Sequence, residues 1–292
     1  MKAMRNQVAM CLIVLASLAL LASCATERLT RPEAASVRPA RPDPAAVARG
    51  EYLVRAANCA GCHTDGKNGA NFAGGRALKT SFGTFYSRNI TPDPVHGIGA
   101  WSDADFIRAL RDGVSPDGDF YYPAFPFTSF TGMTDRDLLD IKAYLFAQKP
   151  VAQTNRAPDT AVPRFMLGVW RALEFTPGPM SPEPRGAYLA NAIAHCGECH
   201  TPRDMLGGLE NERRFAGAPV EGTDKVAPNI TPAHIGKWSR DDIVTLLTTG
   251  MKPNGDFVAA PMSEVVDGLA KLTPSDRAAL AAYVKSVPAQ YR

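Results

Sequence analysis

A mainly α-helical protein that uses one domain fold twice in tandem is the expectation from three observations. They are a long internal repeat, hydroxyl-to-carboxylate capping pairs ahead of helical apolar spacings, and the lack of any convincing run of alternating strand residues. The repeat is explicit. Arg49-Gly50-Glu51-Tyr52-Leu53 is echoed by Arg185-Gly186-Ala187-Tyr188-Leu189, Asn89-Ile90-Thr91-Pro92 by Asn229-Ile230-Thr231-Pro232, Trp101-Ser102 by Trp238-Ser239, and Gly118-Asp119-Phe120 by Gly255-Asp256-Phe257. The offset is 137 residues at the cysteines, the Trp-Ser pair and the Gly-Asp-Phe triplet, 140 at Asn89 and 139 near the end. Domain boundaries follow at 45–150 and 185–292.

The helices can be placed from their starts. Asp43-Pro44 supplies a cap and a first-turn proline for a helix reaching about Ala57. Ser102-x-x-Asp105, Thr134-x-x-Asp137, Ser239-x-x-Asp242 and Thr273-x-x-Asp276 each set a capping hydroxyl three residues before a carboxylate able to satisfy early helix amides. Apolar spacing of the Leu138, Ile141, Leu145 kind then continues the helix. Between the domains, 151–184 is proline-rich but carries Phe165, Leu167, Trp170, Leu173 and Phe175, so a packed connecting segment is expected rather than a free linker. Trp101 and Trp238 open capped helices and read as structural.

With 292 residues, 45% apolar and 21% charged, the chain can build two ordinary cores, which excludes disorder, collagen and a bundle of membrane spans. The formal charge is +3, and Lys2 and Arg5 lie in a segment expected to be removed, leaving +1 and no argument for nucleic acid. That segment, 1–23, runs from two basic residues through the apolar stretch Val8 to Leu21. The stretch is 14 residues long, and a membrane span needs about 20. Leu21-Ala22-Ser23-Cys24 resembles the bacterial lipoprotein cleavage box, which implies lipid on Cys24, a Pro-rich tether over 24–44 and a periplasm-facing, membrane-anchored protein. Ala25 after the lipidated cysteine points to the outer membrane under the common sorting rule.

Of the six cysteines, Cys11 leaves with the signal and Cys24 would take lipid. The remaining four form Cys59-Ala60-Gly61-Cys62-His63 and Cys196-Gly197-Glu198-Cys199-His200. Two thiols three positions apart can add to the two vinyl groups of one haem while the adjacent imidazole reaches its iron. A Cys-only zinc site would bring its pairs closer than the 133 residues between Cys62 and Cys196 and would not need both histidines. A thioredoxin-like pair would need a βαβ context. Two covalently bound haem c groups are therefore expected, on Cys59, Cys62, Cys196 and Cys199, with His63 and His200 as proximal ligands.

The sixth ligands differ. Met262, seven residues past Gly255 and 62 past His200, is a loop methionine placed to close the second site, and thioether sulfur favours ferrous iron. The matching residue in the first domain, also 62 past its histidine, is Phe125, which cannot bind iron. Met133, His96 or no ligand at all remain for that site. Phe120, Tyr121, Tyr122, Phe125, Phe127 and Phe130 are expected to wall the first haem, and Arg88-Asn89 and Pro228-Asn229 either bind haem propionates or cap their loops.

From Arg49 to Pro288 the sequence resembles the membrane-associated cytochrome c subunits of bacterial alcohol, gluconate and fructose dehydrogenases. The resemblance rests on both Cys-x-x-Cys-His motifs, both Asn-Ile-Thr-Pro stretches, Gly97-Ile98-Gly99-Ala100-Trp101-Ser102, Tyr122-Pro123-Ala124-Phe125-Pro126-Phe127, and Ala194-His195 through Thr201-Pro202-Arg203. It implies two tandem class I-like cytochrome c domains. It also implies passage of single electrons from a periplasmic dehydrogenase of flavin, quinone or molybdenum type to quinone or to another cytochrome or oxidase. Two departures stand out. Those subunits usually carry three haems, and many hold methionine where Phe125 stands. The sequence ends without an apolar helix, a role that lipid on Cys24 would take. With no separate catalytic constellation, a pure electron carrier is expected; the alternative is a peroxidase-like di-haem enzyme with an open first haem.

Overall fold

The computed structural model describes residues 42–291. The signal at 1–23, Cys24 and the tether up to residue 41 lie outside the described residues. The described residues form one compact unit.

The elements, in order, begin with α1 (Pro44–Ala56), the short α2 (Cys59–His63), β1 (Ala77–Thr80), β2 (Gly83–Tyr86), α3 (Asp103–Asp112), α4 (Phe127–Phe130) and α5 (Asp135–Phe146). The connecting segment holds β3 (Asp159–Thr160) and α6 (Met166–Glu174). The second domain has α7 (Arg185–Tyr188), α8 (Gly197–His200), β4 (Ala218–Pro219), β5 (Val226–Ala227), α9 (Pro232–Ile235), α10 (Arg240–Thr249), α11 (Met262–Leu269) and α12 (Pro274–Ser286). The expected starts are all found: Asp43, Ser102, Thr134, Ser239 and Thr273 accept from the amides of Ala45, Asp105, Asp137, Asp242 and Asp276. Small sheets go beyond the expectation of helix and loop. β1 and β2 form an antiparallel hairpin that β3 extends, and β4 pairs with β5. Strands of two to four residues are too short to display a period.

The repeated Arg-Gly-x-Tyr-Leu motif explains how each domain closes. A Cβ on Gly50 would collide with the carbonyl of Asp140 on α5, and one on Gly186 with that of Ala279 on α12. Only glycine lets the first and last helices of each domain cross so closely. Arg49 clamps the first crossing through Asp140 (2.6 and 2.8 Å), and Arg185 the second through Asp276 (3.1 and 2.8 Å).

The tyrosines of the same motif reach into the other domain. Tyr52 donates to Asp276 (2.7 Å) and accepts from the Thr273 amide (3.0 Å), while Tyr188 donates to Asp137 (2.5 Å) and accepts from the Thr134 amide (2.9 Å). Each domain thus braces the start of the other's last helix. A shared core of Leu53, Val54, Met133, Tyr188, Ile193, Leu269 and Leu272 fills the seam.

One irregularity marks a sequence insertion. The offset is 136 at the Arg-Gly-x-Tyr-Leu motif and 137 at the cysteines, so the second domain carries one extra residue between them. There the helix after α7 widens into a π-helix over Leu189–Ile193, closed by the Ala194 amide on the Leu189 carbonyl. A π turn absorbs one residue without breaking a helix.

The connecting segment packs as expected, though not with every residue named for it. Leu167 is buried, and Trp170 and Phe175 pack edge-on against Phe127 at 6.3 and 5.0 Å. Phe165 and Leu173 are exposed.

Candidate haem-attachment sites

Each Cys-x-x-Cys-His motif is a single helical turn preceded by a residue in the left-handed region, Asn58 (φ 48°) in one domain and His195 (φ 38°) in the other. That turn places both thiols and the imidazole on one short element. None of Cys59, Cys62, Cys196 and Cys199 forms a disulfide. Burial pushes the Cys59 thiol up to about 12 and the Cys196 thiol up to about 11, with a smaller push from the second cysteine of each motif. The thiols therefore stay protonated, the form that adds S–H across a vinyl group.

Both histidines are set in the same way. His63 Nδ1 lies 2.6 Å from the Arg88 carbonyl, and His200 Nδ1 lies 2.7 Å from that of Pro228. A carbonyl accepts only, so Nδ1 carries the proton and Nε2 keeps its lone pair for a metal. Burial lowers both imidazole pKa values against the opposing pull of those bonds, which keeps the rings neutral.

The Asn-Ile-Thr-Pro stretches build the loops that present those carbonyls. Asn89 Oδ1 accepts from the Thr91 amide and hydroxyl (2.9 and 2.7 Å), and Asn229 Oδ1 from those of Thr231 (2.8 and 2.7 Å). The amide nitrogen of Asn89 is spent on the Val151 and Gln153 carbonyls, and that of Asn229 on Gln290. Loop capping is the work the structure gives these asparagines.

Two thiols and an oriented imidazole per domain fit covalent haem. Among the described residues, no three His, Cys, Asp or Glu side chains converge as a bare metal ion would require.

At the position 62 residues past each histidine the domains diverge. Met262 is half-buried at the first turn of α11. Phe125, its counterpart, sits in an aromatic cluster with Tyr121, Phe127 and Phe130 at 5.6, 6.3 and 5.8 Å. Met133 is fully buried in the shared core, at the place Leu272 takes in the second domain. His96 lies with Nδ1 3.3 Å from Asp93 Oδ1, and its carbonyl is held by Asn155. Of the six aromatics expected to wall the first haem, three have other partners. Phe127 meets Trp170 and Phe175, Tyr122 meets Phe85 and the Val162 carbonyl, and Phe120 lies under Arg171.

The two motifs adjoin across the seam. His195 Nε2 is 3.2 Å from the Ala57 carbonyl, and its ring packs edge-on against Phe130 at 5.4 Å. The Cys199 thiol is raised by burial first, then by Glu198, and also by Cys62 of the other motif. Glu198, inside the second motif, is opposed by burial, yet Arg203 and Ser129 hold its carboxyl below the usual range. Sequence reasoning passed over His195, Glu198 and Arg76 because their partners are distant in the chain.

Comparison with known proteins decides the family. The cytochrome c sequence profile matches residues 47–148 and again 185–288. The chain belongs to the cytochrome c family. It carries two covalently bound haem c groups in two tandem class I-like cytochrome c domains, and it is an electron-transfer protein rather than an enzyme. A "Diheme cytochrome c-type" protein of Cereibacter sphaeroides is 41% identical over 272 residues, 86% of this chain and 92% of that protein. A nicotinate dehydrogenase subunit of Pseudomonas putida is 41% identical over 82% of this cytochrome but only 21% of its own length. "Alcohol dehydrogenase (quinone), cytochrome c subunit" of Gluconobacter oxydans is 40% identical over 85% of this cytochrome. The cytochrome spans about half, 56%, of that subunit.

Proposed function

We propose that this cytochrome is a lipid-anchored, periplasm-facing relay that takes single electrons from a dehydrogenase and passes them to quinone or to another cytochrome. The observation that supports the reading is the contact between the residues leading into the two attachment motifs, His195 against the Ala57 carbonyl, within a core shared by both domains. Relatives named as subunits of nicotinate and alcohol dehydrogenases support a dehydrogenase donor. Haem iron, when bound, supplies the one-electron ferric/ferrous couple. The thiols fix the group, His63 and His200 present Nε2 from a fixed tautomer, and the seam around Phe130 and Tyr188 excludes water.

In this reading Met262 is the sixth ligand of the second site and Met133 that of the first. Low-temperature electron paramagnetic resonance of the oxidised protein, with the haem-to-protein ratio taken on the same sample, tests the pair. Two low-spin signals at a ratio of two are expected. A high-spin first haem would remove Met133 from the ligand set, and peroxide turnover far above that of free haem would overturn the relay. Lipid on Cys24 is tested by fractionating cells: wild type is expected with the membranes and Cys24→Ala in the soluble periplasmic fraction.

A further inference from the structure

Two contacts cross the seam in opposite directions, each from one attachment loop to the far side of the other site. In the second motif, the Glu198 side chain is 9% exposed and accepts from Ser129 Oγ (2.6 Å) and Thr128 Oγ1 (2.9 Å), with Arg203 Nη2 at 2.7 Å. Thr128 and Ser129 belong to α4, three and four residues past Phe125. In the first domain, Arg76 donates to the Gly61 carbonyl inside the motif and pairs with Glu264 (3.0 Å), two residues past Met262 on α11. Phe125 and Met262 are the repeat counterparts on which the two sites differ.

We propose that Glu198 and Arg76 are positioning residues that act across the domains. Glu198 of the second motif holds the distal wall of the first haem, and Arg76 of the first domain holds the helix that carries Met262 over the second. The proposal rests on the relay reading in one respect, the ligand role of Met262, and takes its counterpart Phe125 as marking the matching side of the first haem. A thioether is a soft, displaceable ligand, so its retention depends on how firmly its backbone is held. α11 has no side-chain cap on its first turn, and a Cβ at Gly268 would strike the Arg55 carbonyl of α1. The first domain therefore grips both ends of this helix, through Arg76 near its start and α1 near its finish. α4 is a single turn, likewise uncapped by a side chain, and Glu198 binds the hydroxyls of two of its residues.

The two clamps differ in strength. Glu198 makes buried, charge-assisted bonds, whose loss corresponds to about a tenfold change in an equilibrium. Arg76 and Glu264 are 35% and 41% exposed, so their pair is screened by salt and amounts to about a two- to threefold change.

The test is titration of the full-length, haem-loaded protein with imidazole, which competes for the sixth position. Each haem is followed by its own low-spin resonance, and Met262→Ala identifies the signal of the second. Glu198→Gln and Ser129→Ala are expected to raise imidazole affinity at the first haem about tenfold and leave the second unchanged. Arg76→Gln and Glu264→Gln are expected to raise it at the second haem about two- to threefold, more at low than at high salt. The charge-reversed pair Arg76→Glu with Glu264→Arg should restore the wild-type value. Effects of Glu198→Gln and Arg76→Gln confined to the haem of the mutated domain, or absent at both haems, would overturn the clamps. Should Glu198→Gln lose haem on purification, Ser129→Ala carries the same arm from the other side of the contact. If Met262→Ala leaves both wild-type resonances unchanged, the ligand assignment falls instead, and this is seen before any clamp variant is made.

Discussion

The two domains are alike where they grip the proximal histidine and unlike where the sixth ligand belongs. His63 and His200 meet a carbonyl at 2.6 and 2.7 Å, offered by loops with the same asparagine-to-threonine bonds. Phe72 and Phe215, both in the left-handed region, close those loops by accepting from Ile90 and Ile230. At the position 62 residues past each histidine, one domain presents Met262 on a helix and the other Phe125 in an aromatic cluster. Duplication preserved the machinery of attachment, whose geometry tolerates little change, and left free the ligand that sets potential and access.

The comparison breaks most visibly at the thioether bonds. Cys196→Ala with Cys199→Ala should halve the haem content, from two per chain to one, and Cys59→Ala with Cys62→Ala should do the same; the haem-to-protein ratio reads both. Phe125→Met sharpens the difference: if Phe125 lies where Met262 does, the resonance and potential of the first haem should move toward those of the second.

Helix crossings come next. Gly50→Ala and Gly186→Ala each drive a methyl group into a carbonyl, and each should cost about 3 kcal/mol in chemical denaturation. A loss in only one would mean that the two crossings are not equivalent.

The tyrosine braces should be unequal. Tyr188 is fully buried with its hydroxyl on a carboxylate, so Tyr188→Phe should cost about 2 kcal/mol. Tyr52 is only partly buried, and Tyr52→Phe should cost about 1 kcal/mol. Equal losses would show that burial does not distinguish the two ends of the seam.

The smallest effects are in pH. Burial and then the Asp137 bond push the Tyr188 hydroxyl up to about 12, so its neutral form is the native one. The stability it contributes is complete below the ordinary tyrosine value near 10 and is lost as pH rises toward 12. At the other brace, burial opposes the charge of Asp276, but bonds from Arg185 and Tyr52 hold its carboxyl below the usual range. Its contribution is present above the ordinary aspartate value and is lost as pH falls through the depressed one. Tyr188→Phe should flatten the alkaline limb of a stability–pH curve, and Asp276→Asn the acid limb, each leaving the other in place.

Much of this was legible in the chain. The repeat, the capped helix starts and both attachment motifs are local patterns, and the Arg-Gly-x-Tyr-Leu echo announced that glycine and tyrosine had the same task in each half. The short hairpins were not legible, because strands of two to four residues show no periodicity. The six aromatics expected around the first haem divide in the structure. Phe120, Tyr122 and Phe127 are claimed by the hairpin and the connecting segment, and no local pattern could assign those partners.

By itself the sequence determined the tandem domains and the haem chemistry and singled out the histidine of each motif, because thiols, imidazole and helix caps act over a few residues of chain. Only the tertiary structure decided that the domains brace each other through Tyr52 and Tyr188, that Met133 lies in the core, and that Glu198 and Arg76 reach across the seam. Those contacts join residues 51 to 224 positions apart. Such pairs leave no periodic trace in the chain, since they arise only when two complete domains bury their surfaces together.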